Sequence, residues 1–274
     1  MQGASTKRSI GGFPVINCDR HVLAEALRHR LALRRRTILF FANQNFVVEC
    51  QSIGRRMASR RDVLVVSDGI GAEIGARLVS GRGFVENLNG TDFTPFFFEK
   101  LGRKLRLFLV GGSPENVGAA ARIFAESWST EVVGTQDGFS LWEDEDAVIE
   151  RIREAKPDVL IVGMGNPLQE RWILDHADRL QVPLAMGVGA LFEWLTGAKQ
   201  RAPQWVRDAR MEWAYRLASE PQRLAKRYSV GIVHFFLLVA AWGQANFKPE
   251  DEKHPVPLPP RHEVEEEREA VPVA

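Results

Sequence analysis

The segment that decides the fold is Asp158-Val159-Leu160-Ile161-Val162-Gly163-Met164-Gly165-Asn166-Pro167-Leu168-Gln169-Glu170. Val159–Val162 is apolar without alternation, which is typical of a strand buried on both faces. A turn rich in glycine follows the strand, and a helical pattern begins after Pro167. The segment therefore predicts one unit of a parallel sheet, in which a strand, a turn and a helix follow one another.

The same kind of unit recurs along the chain. Helical patterns cover His21–Leu33 and Phe46–Ser59, and others are expected after Gly71 through Leu78 and from Pro114 to about Ser127. We therefore predict an α/β fold for residues 1–198, with a Rossmann-like, mostly parallel sheet and helices on both of its faces. Its other strands are expected at Thr37–Phe41, Asp62–Val66, Leu105–Val110, Glu131–Val133 and Leu184–Met186.

Open sheets of this kind bind ligands beyond the carboxyl ends of their strands. Gln169 and Glu170, in the first turn of their helix, are expected to face the same edge, where an amide and a carboxylate suit a base or sugar hydroxyls; helix capping is the alternative. The rule brings these candidate ligand residues to one edge of the sheet: Asn43, Asp68, Gly111, Gly112, Asn166, Gln169, Glu170, Gly187 and Gly189.

Composition bounds the class of protein. The chain has 274 residues, 45% of them hydrophobic and 26% charged, which is typical of a globular protein with a large core. Its two cysteines, Cys18 and Cys50, have neither metal-ligand nor disulfide-framework spacing. Because the N-terminus lacks the apolar core of a signal peptide, we expect a cytoplasmic protein.

The C-terminal third has a different character. Residues 199–247 are predicted to form a helical appendage, in which Lys199 to Arg227 contains eight basic residues, three acids and interleaved aromatic side chains. Residues 248–274 contain eight acids, four bases and six prolines. This tail is predicted to be disordered.

An apolar run covers residues 232–242 and ends at Trp242. It is shorter than the roughly 20 residues that span a bilayer. It has two explanations, a buried core helix or a helix that lies in the membrane interface. We favour the interface because the run follows a basic, aromatic segment directly.

Several loops have both a structural and a functional explanation. Asp68 precedes Gly69 at a strand end, where it could cap the next helix or act as a general base. Gly111-Gly112 could pack a strand closely against a helix or admit a phosphate to backbone N–H groups. Asn87–Phe93 could be a turn with an N-cap or a loop that binds a hydroxyl-rich ligand. These residues do not choose between the alternatives.

Taken together, these pieces resemble one family, the WecG/TagA/CpsF glycosyltransferases of bacterial surface polysaccharide and wall teichoic acid synthesis. The resemblance covers roughly residues 37–230. The matching stretches are Asp68-Gly69-Ile70-Gly71, Asn89-Gly90-Thr91-Asp92-Phe93, Gly111-Gly112, Val133-Gly134, Gly165-x-Pro167-x-Gln169-Glu170-x-Trp172, Gly187-Val188-Gly189-Ala190, Arg201-Ala202-Pro203-x-Trp205, Glu212-Trp213-x-x-Arg216-Leu217-x-x-Glu220-Pro221-x-Arg223 and Arg227-Tyr228.

The resemblance implies an inverting transfer of a sugar from a UDP-sugar to a polyprenyl-diphosphate-linked sugar, on the inner face of the cytoplasmic membrane and without a metal cofactor. The family's base falls on Asp68. Substrate-binding roles are implied for Asn89, Asp92 and Arg201. The cations that face the UDP diphosphate fall on Arg216, Arg223 and Lys226 or Arg227.

One position departs from the family pattern. The family commonly has a threonine two residues before the asparagine of the first-strand turn. If that asparagine is Asn43, Phe41 replaces the threonine, and we expect some acceptor contacts to differ.

Two other classes of function compete with this one. A nucleotide-dependent oxidoreductase is disfavoured because no Gly-x-Gly-x-x-Gly follows the first predicted strand. A non-enzymatic scaffold would use the basic and aromatic segment only to bind lipid. Competition by UDP would separate the scaffold from the transferase.

Overall fold

The computed structural model describes residues 6–101, 104–128, 130–203, 205–206 and 211–246. The side chains of Arg216, Arg223, Lys226, Arg227 and residues 243–246 lie outside this description, as does the predicted tail 248–274. Within these limits the protein is an α/β fold with one eight-stranded sheet and helices on both faces.

The sheet has the strand order β1-β2-β4-β3-β8-β7-β5-β6. β1 and β2 pair antiparallel, and every other neighbouring pair is parallel. The strands are β1 (Thr6–Ile10), β2 (Phe13–Asn17), β3 (Thr37–Ala42), β4 (Val63–Ser67), β5 (Arg106–Gly111), β6 (Glu131–Gln136), β7 (Val159–Gly163) and β8 (Leu184–Gly187).

Most of the helices connect these strands. They are α1 (Arg20–Ala32), α2 (Gln44–Glu49), α3 (Gln51–Ser59), α4 (Gly69–Ser80), α5 (Gly90–Leu101), α6 (Pro114–Trp128), α7 (Glu145–Ala155), α8 (Leu168–Leu180) and α9 (Leu191–Leu195). After residue 211 the described chain continues as α10 (Glu212–Ser219), α11 (Pro221–Tyr228) and α12 (Val230–Asn246).

The six predicted strands are confirmed to within one or two residues, except that β6 extends to Gln136. Two details of the prediction were wrong. The helix expected over Phe46–Ser59 is broken at Cys50 into α2 and α3. The N-terminal hairpin of β1 and β2 was not predicted: Gly11-Gly12 is a recognised turn signal, but β1 is mostly polar and lacks the pattern of a buried strand.

Adjacent residues of a strand supply the two layers of the core. Phe40 packs with Phe46 and Trp172 on one face of the sheet, whereas Phe41 packs with Phe93 on the other. Both phenylalanines are buried because helices cover both faces. The apolar runs therefore do not alternate with polar residues, as expected for a parallel sheet.

Helix α12 is packed onto the core along one face. Phe235 and Val239 are buried, and the helix contacts α2, α4 and β1. Its opposite face exposes Val230, Val233 and Leu237. Residues 232–242 were expected to form either a buried core helix or a helix in the membrane interface. The structure shows a helix that is buried in the core along one face only. No helix in the described part of the chain is long and apolar enough to cross a membrane.

Helix α4 approaches α12 closely at Gly75. A Cβ atom at this position would lie 2.9 Å from the Phe235 ring and 3.4 Å from Val239. Gly118 of α6 provides a contrast, since a Cβ there would meet no atom within 4 Å. Any side chain at residue 75 would thus push α12 outward.

We predict that Gly75→Ala destabilises the protein relative to Gly118→Ala by about 1–3 kcal/mol, the usual cost of an overpacked core. Gly118→Ala should instead raise stability by about 0.5–1 kcal/mol through helix propensity. Urea unfolding of both variants measures the difference. Equal stabilisation by the two substitutions would contradict the close packing of α4 and α12.

Candidate active site

Asn43 and Asp68 lie next to each other at the carboxyl ends of β3 and β4. The Asp68 N–H donates to the Ala42 carbonyl at 2.9 Å, which continues the ladder one step beyond the strands. Both polar atoms of the Asn43 side chain are then hydrogen-bonded. Its Oδ1 accepts from the N–H groups of Asn45 and Phe46, at 3.0 Å each, and its Nδ2 donates to Asp68 Oδ2 at 3.0 Å.

Asp68 occupies the N-cap position of α4 but makes no side-chain capping bond. The first N–H of the helix, that of Gly69, instead donates to Asn87 Oδ1 at 2.6 Å. Asp144 shows the ordinary arrangement, because its carboxylate accepts from the Ala147 N–H at 3.0 Å and caps α7. The capping explanation for Asp68 therefore fails in this structure.

A cleft of about 400 Å³ opens above Asp68. One side consists of the ends of β3 and β4, the start of α4 and the loop that follows α4. The other side comes from α9 and from the appendage helices α10 and α11. The residues that line the cleft are Asn43, Gln44, Asp68, Gly69, Ile70, Glu73, Phe84, Val85, Glu86, Asn87, Asn89, Thr91, Trp194, Glu212, Trp213 and Tyr228.

Two carboxylates of the lining are engaged in local structure. Glu73 pairs with Arg77 at 2.8 Å and accepts from the Phe84 N–H at 2.7 Å. Glu86 forms an ion pair with Arg20 and accepts from its backbone N–H at 2.8 Å. These contacts fix the loop after α4 against α4 and the start of α1, and they offset much of the negative charge there.

Asn89, Asp92 and Arg201 form one connected group. Arg201 Nη1 lies 2.6 Å from Asp92 Oδ1, and Asn89 Nδ2 donates to Asp92 Oδ2 at 2.8 Å. Asn89 also caps α5 by accepting from the Asp92 N–H. The ion pair therefore ties the start of the appendage to the loop beside the cleft. Of these three residues, only Asn89 lines the cleft.

Gln169 and Glu170 are buried beneath the sheet edge. Gln169 Oε1 accepts from the N–H groups of Gly165 and Gly189, at 3.2 and 2.9 Å, and so joins the turns after β7 and β8. Glu170 Oε1 accepts from Asn166 Nδ2 and Gln169 Nε2, both at 2.7 Å. Their role in binding a sugar or base stays a prediction, because in this structure they support the turns from below.

Burial raises the pKa of Glu170, since the charged carboxylate loses its hydration. Hydrogen bonds from Gln169 and Asn166 oppose this effect without cancelling it. The neighbouring Cys50 thiol also has a raised pKa, first because of its own burial and then because of Glu170. The group thus favours a neutral carboxyl inside the core.

The glycines at the other strand ends have packing roles. Gly111 has φ +118°, and a Cβ there would lie 2.3 Å from the Gly163 carbonyl oxygen. The Gly112 N–H donates to that oxygen at 3.1 Å. A Cβ on Gly187 would lie 3.0 Å from Phe40 and 3.2 Å from Gln169. Gly111, Gly112, Gly187 and Gly189 lie at the predicted edge but outside the lining of the cleft.

The appendage reaches the cleft through its aromatic residues. Trp213 of α10 and Tyr228 of α11 have ring centroids 6.2 Å apart, and both line the cleft. Arg216, Arg223, Lys226 and Arg227 lie on the same two helices, but their side chains are outside the described residues. Their predicted contact with a diphosphate is therefore not tested by the structure.

Phe41 lies under the first residue of α5, Gly90. It is 5% exposed, its ring centroid is 6.1 Å from that of Phe93, and a Cβ on Gly90 would lie 3.0 Å from its ring. An apolar ring thus supports this part of the cleft from below.

Sequence reasoning missed part of the lining. Trp213 and Tyr228 belonged to a recognised motif, and their aromatic character was a usable signal. Phe84, Val85 and Glu86 gave none, because they follow α4 in an irregular loop whose position depends on the bond between Glu73 and Phe84.

These features define an α/β protein with a cleft at the carboxyl edge of a parallel sheet, lined in part by C-terminal helices. Comparison with protein families makes the class specific. The chain matches the model of the glycosyl transferase WecG/TagA/CpsF family over residues 8–248. It therefore belongs to that family of glycosyltransferases, which acts in surface polysaccharide synthesis.

The raised pKa of Glu170 gives a testable pH dependence. Below the pKa of an unfolded glutamate both states hold the proton, so the stabilisation is complete. As pH rises from there towards the pKa of Glu170 in the folded protein, the unfolded state loses this proton and the folded state keeps it. The free energy of unfolding therefore falls with rising pH. We predict that Glu170→Gln loses this decline and has the higher Tm at about pH 8.

Thermal unfolding between about pH 5 and about pH 8 measures the effect. Glu126→Gln, on the exposed face of α6, serves as the control and should follow the wild type. A Glu170→Gln variant that is less stable than wild type at high pH would show that the carboxyl is held in its charged form.

Proposed function

We propose that the protein transfers a sugar, with inversion, from a UDP-sugar to a polyprenyl-diphosphate-linked sugar. The single observation that carries the proposal is the Asp68 carboxylate, which lines the cleft, is held by Asn43 and does not cap its helix. An inverting transfer needs a base at the attacking hydroxyl, and a positioned carboxylate suits that role. Family membership supports a nucleotide-sugar donor and a glycan acceptor in general.

In the proposed mechanism, Asp68 takes the proton of the acceptor hydroxyl while the oxygen of that hydroxyl attacks the anomeric carbon of the donor sugar. The bond from that carbon to the UDP oxygen breaks, and UDP leaves with the bonding electrons. Asn43 is a positioning residue that holds the carboxylate in place through its amide. Exclusion of water from the cleft would limit hydrolysis of the donor.

The leaving diphosphate needs positive charge, and we assign this role to Arg216, Arg223 and Lys226 or Arg227. The helices that bear these residues also bring Trp213 and Tyr228 to the cleft, which supports the assignment. We propose that no metal ion takes part. Transfer that stops in EDTA and resumes with Mg²⁺ would contradict this part of the proposal.

We also propose that the protein works at the inner face of the cytoplasmic membrane, where a lipid-linked acceptor is found. The exposed face of α12, with Val230, Val233 and Leu237, supports an interfacial position. Co-sedimentation with anionic liposomes tests it, and recovery of all protein in the supernatant would contradict it.

We predict that Asp68→Asn folds normally and loses at least about two orders of magnitude in transfer rate, because an amide does not accept the proton. Stability should hold, since asparagine has the same shape and keeps an oxygen that can accept from the Asn43 amide. The measurement is UDP release with a UDP-sugar panel and a lipid-diphosphate-sugar acceptor. Asp144→Asn, a true helix cap, is the matched control and should retain activity. Wild-type transfer by Asp68→Asn would remove Asp68 from the base role.

A second prediction separates the two roles of Asn43. Serine at this position retains a capping oxygen for α2 but lacks the amide that holds Asp68. Asn43→Ser should therefore keep its stability and lose about tenfold in kcat, with little change in the KM of the donor. Asn43→Ala should lose both activity and about 1 kcal/mol of stability. An unchanged kcat in Asn43→Ser would show that the hydrogen bond to Asp68 is not needed.

A further inference from the structure

The loop that follows α4 is fastened to the end of β4 on both sides of Asn87. Ser67, the last residue of β4, makes both bonds. Its Oγ donates to the Glu86 carbonyl oxygen at 3.0 Å, and its own carbonyl oxygen accepts from the Leu88 N–H at 2.9 Å. The Leu88 side chain is buried in the core. Because residues 86 and 88 are both fixed to the strand end, residue 87 is held beside the turn that begins at Asp68.

Two more bonds fix the loop before it reaches Asn87. The Phe84 N–H donates to Glu73 of α4 at 2.7 Å, and the Val85 N–H donates to Asn17 Oδ1, also at 2.7 Å. Asn17 is buried at the end of β2. The position of the loop is therefore set by bonds to α4, β2 and β4 that do not involve the Asn87 side chain.

From this position the Asn87 side chain reaches the residue that follows Asp68. Asn87 Oδ1 accepts from the Gly69 N–H at 2.6 Å, across 18 positions of the chain. Gly69 has φ +81°, in the left-handed region that favours glycine, and it is the first residue of α4. The first N–H group of α4 is thus bound by a side chain from the loop.

Asp68 itself is well placed to cap α4. Its backbone is extended, with φ −131° and ψ 116°, as is usual for an N-cap residue. Aspartate is also one of the preferred N-cap residues, and the helix dipole attracts its charge. A carboxylate that accepted helix N–H groups would have a lower pKa and would be a weaker base. The contact that opposes this rotation directly is the bond from Asn43 Nδ2 to Asp68 Oδ2, at 3.0 Å.

We propose that Asn87 is a second positioning residue for the general base. By accepting the Gly69 N–H, it takes over part of the capping of α4 and leaves the Asp68 carboxylate directed into the cleft. This inference rests on the proposed function, because it requires Asp68 to be the base. Asn43 holds the carboxylate directly, whereas Asn87 acts through the backbone of the next residue.

The experiment measures kcat/KM for the acceptor as a function of pH in the wild type and in Asn87→Ala. The fall of kcat/KM on the acidic side, the acid limb, reports ionisation of the base in the free enzyme. Asn87→Ala leaves the Gly69 N–H available to the Asp68 carboxylate. The plateau of kcat/KM should fall about fivefold, as expected for one hydrogen bond, and the acid limb should move to lower pH.

Asn87→Asp tests for rescue, since aspartate keeps the acceptor oxygen for the Gly69 N–H. Its plateau should lie within about twofold of the wild type. Its acid limb should move to higher pH, because a second negative charge beside Asp68 disfavours the ionised base. The two variants at residue 87 should thus move the acid limb in opposite directions.

Other ionisable groups face the same cleft, and substitution of Asn87 removes none of them. The residual activity of Asp68→Asn should lack the acid limb, which assigns the limb to Asp68. The described lining also contains Glu73, Glu86, Glu212 and Tyr228, with Arg77 paired to Glu73 and Arg20 to Glu86, and the helices α10 and α11 carry Arg216, Arg223, Lys226 and Arg227.

Asp144→Ala is the matched control. Asp144 also supplies an exposed side-chain acceptor to the first turn of a helix, since it accepts from the Ala147 N–H of α7 at 3.0 Å, and it lies outside the cleft lining. Its loss should lower Tm and leave both the plateau and the acid limb as in the wild type. Thermal unfolding of every variant checks that it is folded.

A wild-type plateau and acid limb in Asn87→Ala would overturn the proposal. A lower plateau with an unmoved acid limb would show that Asn87 only supports the loop, and would overturn it as well. Failure of Asn87→Asp to recover the plateau would have the same consequence. If the wild type transfers no sugar, or if Asp68→Asn transfers at the wild-type rate, the proposed function itself fails. That result is distinct because it is obtained without any change at residue 87.

Discussion

The parallel pairing of β3 with β4 is the constraint on which the site depends. Their register places Ala42 opposite Ser67, so the next residue of each strand, Asn43 or Asp68, leaves the sheet at the same level. Both side chains then meet at 3.0 Å without any further adjustment of the backbone. Because every strand between β2 and β6 runs in the same direction, all the turns gather at one edge. A shift of one residue in this register would turn the side chains to the other face and separate the pair.

The core and the appendage contribute different chemistry to the cleft. The described lining from the core offers amides, backbone N–H groups and carboxylates, of which Glu73 and Glu86 are paired with arginines. Such a surface is suited to hydroxyl groups, and in the proposed mechanism it would provide little positive charge for the leaving diphosphate. The segment from Lys199 to Arg227, by contrast, has eight basic residues and three acids. The helices of that segment already contribute Glu212, Trp213 and Tyr228 to the cleft.

The sheet could be predicted from sequence because strands buried on both faces leave a strong signal, as Val159–Val162 does. The hairpin of β1 and β2 escaped because its residues pair at the edge and owe their position to α12 and α4. Within the site, the sequence located the strand ends correctly, but it did not indicate which of the side chains that follow them are buried. Gln169 follows its strand as a ligand residue would, yet its side chain turns inward to hold two turns together. Local sequence indicates where a turn occurs, whereas the direction of a side chain depends on partners far along the chain.

The two anchors of the appendage have a consequence for its placement. The ion pair of Arg201 with Asp92 fixes the segment before α10, and the buried Phe235 and Val239 fix the helix after α11. The helices between them are thus tethered at both ends, and their effective concentration at the cleft is set by chain geometry. A segment tethered in this way pays little further loop-closure entropy when it engages a ligand. The placement of α10 and α11 at the cleft is therefore set by contacts within one chain.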